Sequence, residues 1–260
     1  MDDLKRYEEL VKTIEYHNDR YYNQDDPEIS DYEYDMMMKE LKKIEKDHPE
    51  FVTPNSPTQH VGGSAKREAG VLVRHRVPML SLQDVFSKEE VQDFVKSMQE
   101  TLVDPVFVVE YKIDGLSMAL RYENGLLTTA ITRGDGIIQG EDVTVNAKVI
   151  KDVKNKLKEP IEYLEVRGEV YMTNEAFDKV NEIQELNNKK TFANPRNCAA
   201  GTLRQLDSRI TKQRNLSMFI FNIQDIRGKE ITSHSQGYEY LKIQGMKVID
   251  NYQVCHNFEE

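Results

Sequence analysis

Glu110-Tyr111-Lys112-Ile113-Asp114-Gly115 sets a lysine between two carboxylates, each two residues away. The hexapeptide ends an apolar run, Val106-Phe107-Val108-Val109, whose β-branched and aromatic residues predict a buried strand over 105–112. If that strand continued through 114, its period of two would put Glu110, Lys112 and Asp114 on one face. Such a trio suits a lysine nucleophile beside a metal ion; the plainer alternative is a solvated edge strand of alternating charge. A free lysine amine has a pKa of about 10.4, so a nucleophilic Lys112 needs help in losing its proton. Glu110 and Asp114 favour the ammonium form, and Mg2+ (or Mn2+) with nearby arginines would offset them. A divalent ion is therefore expected, although no residue is assigned as its ligand.

Three further blocks carry charge at suggestive spacings. Thr132-Arg133-Gly134-Asp135-Gly136 follows a hairpin signal at Asn124-Gly125, and Arg167-Gly168-Glu169-Val170 ends an alternating strand. Asn194-Pro195-Arg196-Asn197-Cys198-Ala199-Ala200-Gly201-Thr202-Leu203-Arg204-Gln205 lies in a stretch, 189–214, with seven basic side chains and one acidic. That island reads either as a solvated basic surface or as a phosphate contact. Arg196 and Arg204, eight apart on a helix, would share a face.

The elements that must position these residues are legible in outline. Residues 2–22 and 30–47 have helical periodicity, with Leu4, Tyr7, Val11 and Ile14 on one face and Tyr34, Met37, Leu41 and Ile44 on the other helix. Ser30 with Glu33 predicts a capping box. These helices predict a small helical unit over 1–60, ahead of a larger α+β domain over 61–260. Pro49, Pro54, Pro57, Pro78 and Gly62-Gly63 mark 48–82 as a long ordered loop or linker. Ser87 with Glu90 predicts the start of a third helix. Strands are expected at 105–112, 116–123, 126–133, 162–172 and 216–224, a helix from an Asn174 cap to about 187, and short helices within 196–211. The pattern is α+β with mainly antiparallel strands.

Bulk properties exclude several classes. The 260 residues are 31% charged and carry a net charge of −10, which disfavours strong DNA binding by this chain itself. No apolar run approaches the about 18 residues of a membrane span, and Met1-Asp2-Asp3-Leu4 begins no signal peptide. Cys198 and Cys255 have no histidines at suitable spacing, so no zinc site is expected. A cytoplasmic monomer without membrane contact is expected.

In order and spacing, these motifs resemble the adenylation region of bacterial NAD+-dependent DNA ligases, from about residue 4 to about residue 225. Lys-x-Asp-Gly alone is shared with ATP-dependent ligases and capping enzymes; the Asn194–Gln205 block is more specific. The resemblance implies an α+β nucleotidyltransferase fold with mainly antiparallel sheets. It implies that Lys112, with Asp114 beside it, attacks the α-phosphate of NAD+, releases NMN and forms lysyl-AMP. It makes Glu110 and Arg133 nucleotide contacts, and Glu169 the carboxylate that binds the ribose hydroxyls. Ser81 and Leu82 would line the adenine pocket, although core packing is the default for that apolar run. Arg196 and Arg204 would contact the nicotinamide-side phosphate and the nick. Tyr21, Tyr22, Asp31, Tyr34 and Asp35 resemble the family's NMN-binding residues, where rings stack on the cationic nicotinamide and aspartates complement its charge. NAD+, NMN, AMP and, in the full-length enzyme, nicked duplex DNA are the implied partners.

Family members continue with a strand bearing D-G-V-V-I-K and a second lysine motif, neither of which occurs before Glu260. The chain is therefore expected to be C-terminally incomplete. Nick sealing is not expected of it alone, and its self-adenylation is left open. Two alternatives remain: an NAD+-binding module without turnover, and an ATP- or GTP-using transferase, the latter disfavoured by Tyr21–Asp35.

Overall fold

The computed structural model describes residues 3–23, 27–53, 56–59 and 70–260. Helix α1 (Asp3–Asn18) runs into a π turn over Asp19–Asn23, and α2 (Asp31–Asp47) packs back against it. The capping box forms: Glu33 N–H donates to Ser30 Oγ at 3.2 Å, and Ser30 N–H donates to Glu33 Oε2 at 2.8 Å. Such a cap stabilises a helix start by about 1 kcal/mol. Tyr7, Leu10, Ile14 and Leu41 are buried between the helices, with Val11, Tyr34, Met37 and Ile44 packed around them. Leu4, at the open end of that row, is 43% exposed. The boundary expected at 60/61 falls outside the described residues.

The larger part follows as β1 (Leu72–Arg74), α3 (Lys88–Thr101), β2 (Phe107–Glu110), β3 (Leu116–Glu123), β4 (Leu126–Thr132), β5 (Gln139–Glu141) and α4 (Thr144–Ala147). It continues with β6 (Tyr163–Tyr171), α5 (Asn174–Leu186), α6 (Pro195–Leu203), α7 (Ser208–Gln213), β7 (Ser217–Arg227), α8 (His234–Ile243) and β8 (Tyr252–Cys255). A four-stranded antiparallel sheet, ordered β4-β3-β6-β7, forms the body; β1-β5 and β2-β8 are separate antiparallel pairs. Asn124 and Gly125, at φ 50° and 76°, turn β3 into β4 with the backbone twist that suits a hairpin. Met118, Leu120, Leu164, Val166 and Val170 of the sheet are buried with Val180 of α5, Leu203 of α6 and Leu241 of α8. Burying an aliphatic side chain of this size contributes about 1.5–3 kcal/mol, so this packing holds the helices to the sheet.

One sheet pair is charged. Arg121 on β3 stands opposite Glu165 on β6, both buried, and its Nε donates to Glu165 Oε2 at 2.9 Å. Tyr163 donates to the same oxygen at 2.5 Å, and Arg121 Nη2 donates to the Arg74 carbonyl at 2.9 Å. Breaking a buried pair of this kind costs about 3–5 kcal/mol, so Arg121 ties β1 to the body.

Three expectations need correction. The strand expected over 105–112 stops at Glu110, because β8, its ladder partner, begins opposite it at Tyr252. Lys112 and Asp114 therefore lie on an irregular segment, off any strand face. Thr173, in extended conformation, caps α5 in place of Asn174, its hydroxyl accepting from Ala176 N–H at 3.2 Å. Only Met79 of the apolar run 79–82 enters the core; Leu80 and Leu82 are 62% and 72% exposed.

Candidate active site

Lys112 sits between two fixed points. Glu110 ends β2, and Gly115 opens the turn into β3. A Cβ at Gly115 would lie 2.1 Å from the Val170 carbonyl oxygen, so no larger residue fits there. Lys112 and Asp114 project from this short span with their side chains exposed.

Arg196 organises what surrounds them. Asn194 caps α6 by accepting from Asn197 N–H at 2.8 Å, and Pro195 occupies the first helical position, where its missing N–H costs nothing. Arg196 follows, and its Nη1 donates to Asp114 Oδ1 at 3.1 Å. The same nitrogen lies 4.0 Å from Asp31 Oδ2, and the guanidinium carbon lies 4.9 Å from the centre of the Tyr21 ring. Asp31 opens α2 and Tyr21 belongs to the π turn, a local distortion that recurs at functional sites. One cation thus gathers the lysine segment and the N-terminal helices. Arg204 caps the other end of α6, about 12 Å away at helical rise, and its Nε donates to the Ala200 carbonyl at 3.2 Å. Ala199 and Ala200, both buried, give α6 the close packing that small residues allow.

The N-terminal candidates divide. Asp35 helps line a cavity of about 270 Å³ together with Met38, Lys42, Asp84 and Phe86. Burial raises its pKa, Asp84 and Asp31 push the same way, and Lys112 and Lys42 pull it back. Tyr34 packs in the helix-pair core and donates to Asn18 Oδ1 at 2.7 Å. The side chain of Tyr22 lies outside the described residues.

Glu169 is half-buried on β6, and Ser117 Oγ donates to its Oε2 at 2.8 Å. Burial raises its pKa, against the Ser117 hydrogen bond and the nearby positive charges of Arg196, Lys112 and Arg167. The folded-state pKa lies above the unfolded one, so the ionised carboxylate costs stability above that window and nothing below it. Glu169→Gln is expected to raise Tm near pH 8, by about 2–4 °C for each 1 kcal/mol relieved, with a smaller gain near pH 4. Thermal melts at the two pH values check this; an equal gain at both would remove burial of the charge as its cause.

Arg133 and Arg167 shape the neighbouring segment. Arg133 Nε donates to the Met79 carbonyl at 3.1 Å and its Nη2 to Ser81 Oγ at 2.5 Å. Arg167 Nη1 donates to the Leu80 carbonyl at 2.8 Å and its Nη2 to Ser117 Oγ at 3.2 Å. The turn after Arg133 helps: Asp135 Oδ1 accepts from the backbone N–H groups of Ile137, Ile138 and Gln139, and the Gly136 carbonyl accepts from Met79 N–H at 2.7 Å. Arg167 thereby links the Leu80 carbonyl to Ser117, and Ser81 and Leu82 are left exposed.

The comparisons with known proteins bear on this arrangement. Residues 70–260 match the family model described as NAD-dependent DNA ligase adenylation domain. The chain belongs to the NAD-dependent DNA ligase family. Residues 1–62 match a second model, DNA ligase-like, N-terminal NAD+-binding domain. A DNA ligase of Clostridium kluyveri is 54% identical over 260 residues, covering 100% of this chain and 39% of the relative. One from Caldicellulosiruptor saccharolyticus is 53% identical over 258 residues, 98% of this chain and 38% of the relative. One from Thermoanaerobacter sp. is 49% identical over 260 residues, 100% and 39% respectively. The chain thus spans about two fifths of the length of these relatives.

Within this family architecture, several structural partners were missed by sequence reasoning. Arg167 carried a signal, since it lies two residues before Glu169 and shares its strand face. Ser117 carried none, because its cross-strand pairing with Glu169 exists only once β3 and β6 are in register. Among the described residues, no three His, Cys, Asp or Glu side chains converge as a metal cage, and no helix is long and apolar enough to cross a membrane. Mg2+ commonly keeps several waters and takes only one or two protein carboxylates plus substrate phosphates, and the exposed Asp114 is a donor of that type.

Proposed function

We propose that this chain carries the NAD+-dependent adenylation step of a DNA ligase, with residues 1–60 as a helical NMN-binding domain and 61–260 as the nucleotidyltransferase domain. The lone pair of Lys112 Nζ attacks the α-phosphorus on the AMP side of NAD+. The pyrophosphate bond to NMN breaks, NMN leaves, and the lysine gives up its proton to solvent as the N–P bond forms. The observation that carries this reading is Arg196, whose guanidinium meets Asp114, Asp31 and Tyr21 at once. That geometry supports a dinucleotide lying from the lysine segment to the N-terminal helices, its adenosine ribose on Glu169 and its nicotinamide half near Tyr21, Asp31 and Asp35. Glu110, Arg133, Ser81 and Leu82 border the adenosine half. Tyr22 and Tyr34 belong to the NMN side.

Mg2+ (or Mn2+), held by Asp114, water and the dinucleotide's own phosphates, would supply charge neutralisation at the pyrophosphate. In the complete enzyme AMP then passes to a 5′-phosphate at a nick and the 3′-hydroxyl displaces it. The basic stretch around Lys189, Lys190 and Arg204 is the surface this chain would offer to DNA. The cytoplasm and a monomeric state complete the reading.

Intact-protein mass spectrometry after incubation with NAD+ and Mg2+, with ATP in a parallel arm, tests it. A gain of one AMP with NAD+ only, lost on adding EDTA, is the expected result. AMP transfer from ATP would instead favour the other transferase class. NAD+ binding by calorimetry without any mass gain would leave a binding module.

A further inference from the structure

We infer that Tyr238, assisted by His234, is a positioning residue for Lys112, acting through Glu110; this rests on Lys112 being the adenylated nucleophile. The segment carrying Lys112 leaves β2, whose only ladder among the described residues is the four-residue pairing with β8. That pair lies apart from the four-stranded sheet, so it needs a tie to the body. Helix α8 provides one. Tyr238 is 1% exposed and belongs to the main core, so its ring moves only with the body. Its hydroxyl donates to Glu110 Oε2 at 2.5 Å, and His234 Nε2 lies 3.4 Å from the same oxygen. The ring also packs on Tyr252, the β8 residue opposite Glu110, with centroids 5.3 Å apart. One buried side chain thus holds both strands at the end from which the nucleophile departs.

At most about 7 Å of extended chain separates Glu110 from Lys112. On the other side, Gly115 is fixed by its close approach to Val170. Lys112 therefore hangs between two anchors, and the upstream one is the Tyr238–Glu110 hydrogen bond. Charge-assisted bonds of this kind are stronger than neutral ones and aim the group they hold. A reacting atom displaced by about 1 Å can lose up to about 100-fold in rate, so a modest loosening here reaches the chemistry.

Tyr238→Phe removes the hydroxyl and keeps the ring. In single-turnover adenylation followed by mass, the rate is expected to fall about 10-fold while the NAD+ concentration for half-maximal rate changes less than about twofold. In parallel, hydrogen exchange should quicken at 107–114 and stay unchanged across 116–123 and 163–171. An unchanged rate, or a loss confined to NAD+ affinity, overturns the positioning role while Lys112 chemistry stands. If the unsubstituted chain gains no AMP, the nucleophile reading fails, and exchange at 107–114 still decides whether Tyr238 anchors that segment. Uniformly faster exchange would reduce Tyr238 to a core residue and overturn the inference. His234→Ala should reproduce the same pattern more weakly, as its longer contact predicts.

Discussion

Lys112→Ala is expected to abolish AMP transfer from NAD+ completely, leaving the mass of the protein unchanged after any length of incubation. The size of the effect follows from chemistry: no other group can replace an amine nucleophile whose product is a covalent phosphoramidate. The fold should not notice. Lys112 is exposed on an irregular segment, and truncating an exposed side chain there changes stability by about 0.5 kcal/mol or less. An unchanged Tm with no adenylate is therefore the combined signature, while residual AMP on the variant would move the nucleophile elsewhere. Calorimetry sharpens the result, since NAD+ affinity should fall only modestly when the amine is lost.

Arg196→Ala is expected to lower the second-order rate constant of adenylation by NAD+ on the order of 100-fold. Each hydrogen bond to a charged partner contributes about 1.5–3 kcal/mol, and 1.4 kcal/mol is about tenfold in rate. Two consequences add. The side chain stops gathering Asp114 and Asp31, and the Tyr21 ring loses the cation above it. Asp114 and Asp31 then face the approaching pyrophosphate without a compensating charge, which disfavours the anion further. Arg196→Lys should recover only part of the loss, because a compact ammonium keeps the charge but loses the planar guanidinium that reaches Asp114 and lies over the Tyr21 ring at once. Single-turnover adenylation rates of the two variants, taken across NAD+ concentrations, measure this directly. A loss below about threefold for Arg196→Ala would detach the junction from catalysis.

How much of this was legible depends on how local the cause was. The Ser30 capping box and the Ser87 cap were legible, and so were the hairpin at Asn124-Gly125 and strands β3, β4 and β6, because each is set by a few neighbouring residues. The strands β1, β5 and β8 escaped, since three- and four-residue strands exist only through distant partners. Helix α8 carried its own Ser233 cap and was overlooked. The Gly134-Asp135-Gly136 turn holds Met79, whose N–H donates to the Gly136 carbonyl across 57 positions, a contact with no local signal. Arg133 and Arg167 likewise spend donors on the 79–81 segment, something no local pattern could reveal.

Residue type and local spacing alone carry a short list of features: a lysine flanked by carboxylates, a glycine after it, a carboxylate two residues after an arginine on a strand, and an arginine at a capped helix start. Those are properties of residue type and spacing within about a dozen positions, and the family resemblance rests on them. Which of these groups meet is set by the folded chain. Asp114 and Arg196 come together across 82 positions, Glu110 and Tyr238 across 128, and Ser117 and Glu169 across 52. Such contacts depend on sheet register and on core packing, both collective outcomes of burying the whole apolar set, so no short window of sequence encodes them.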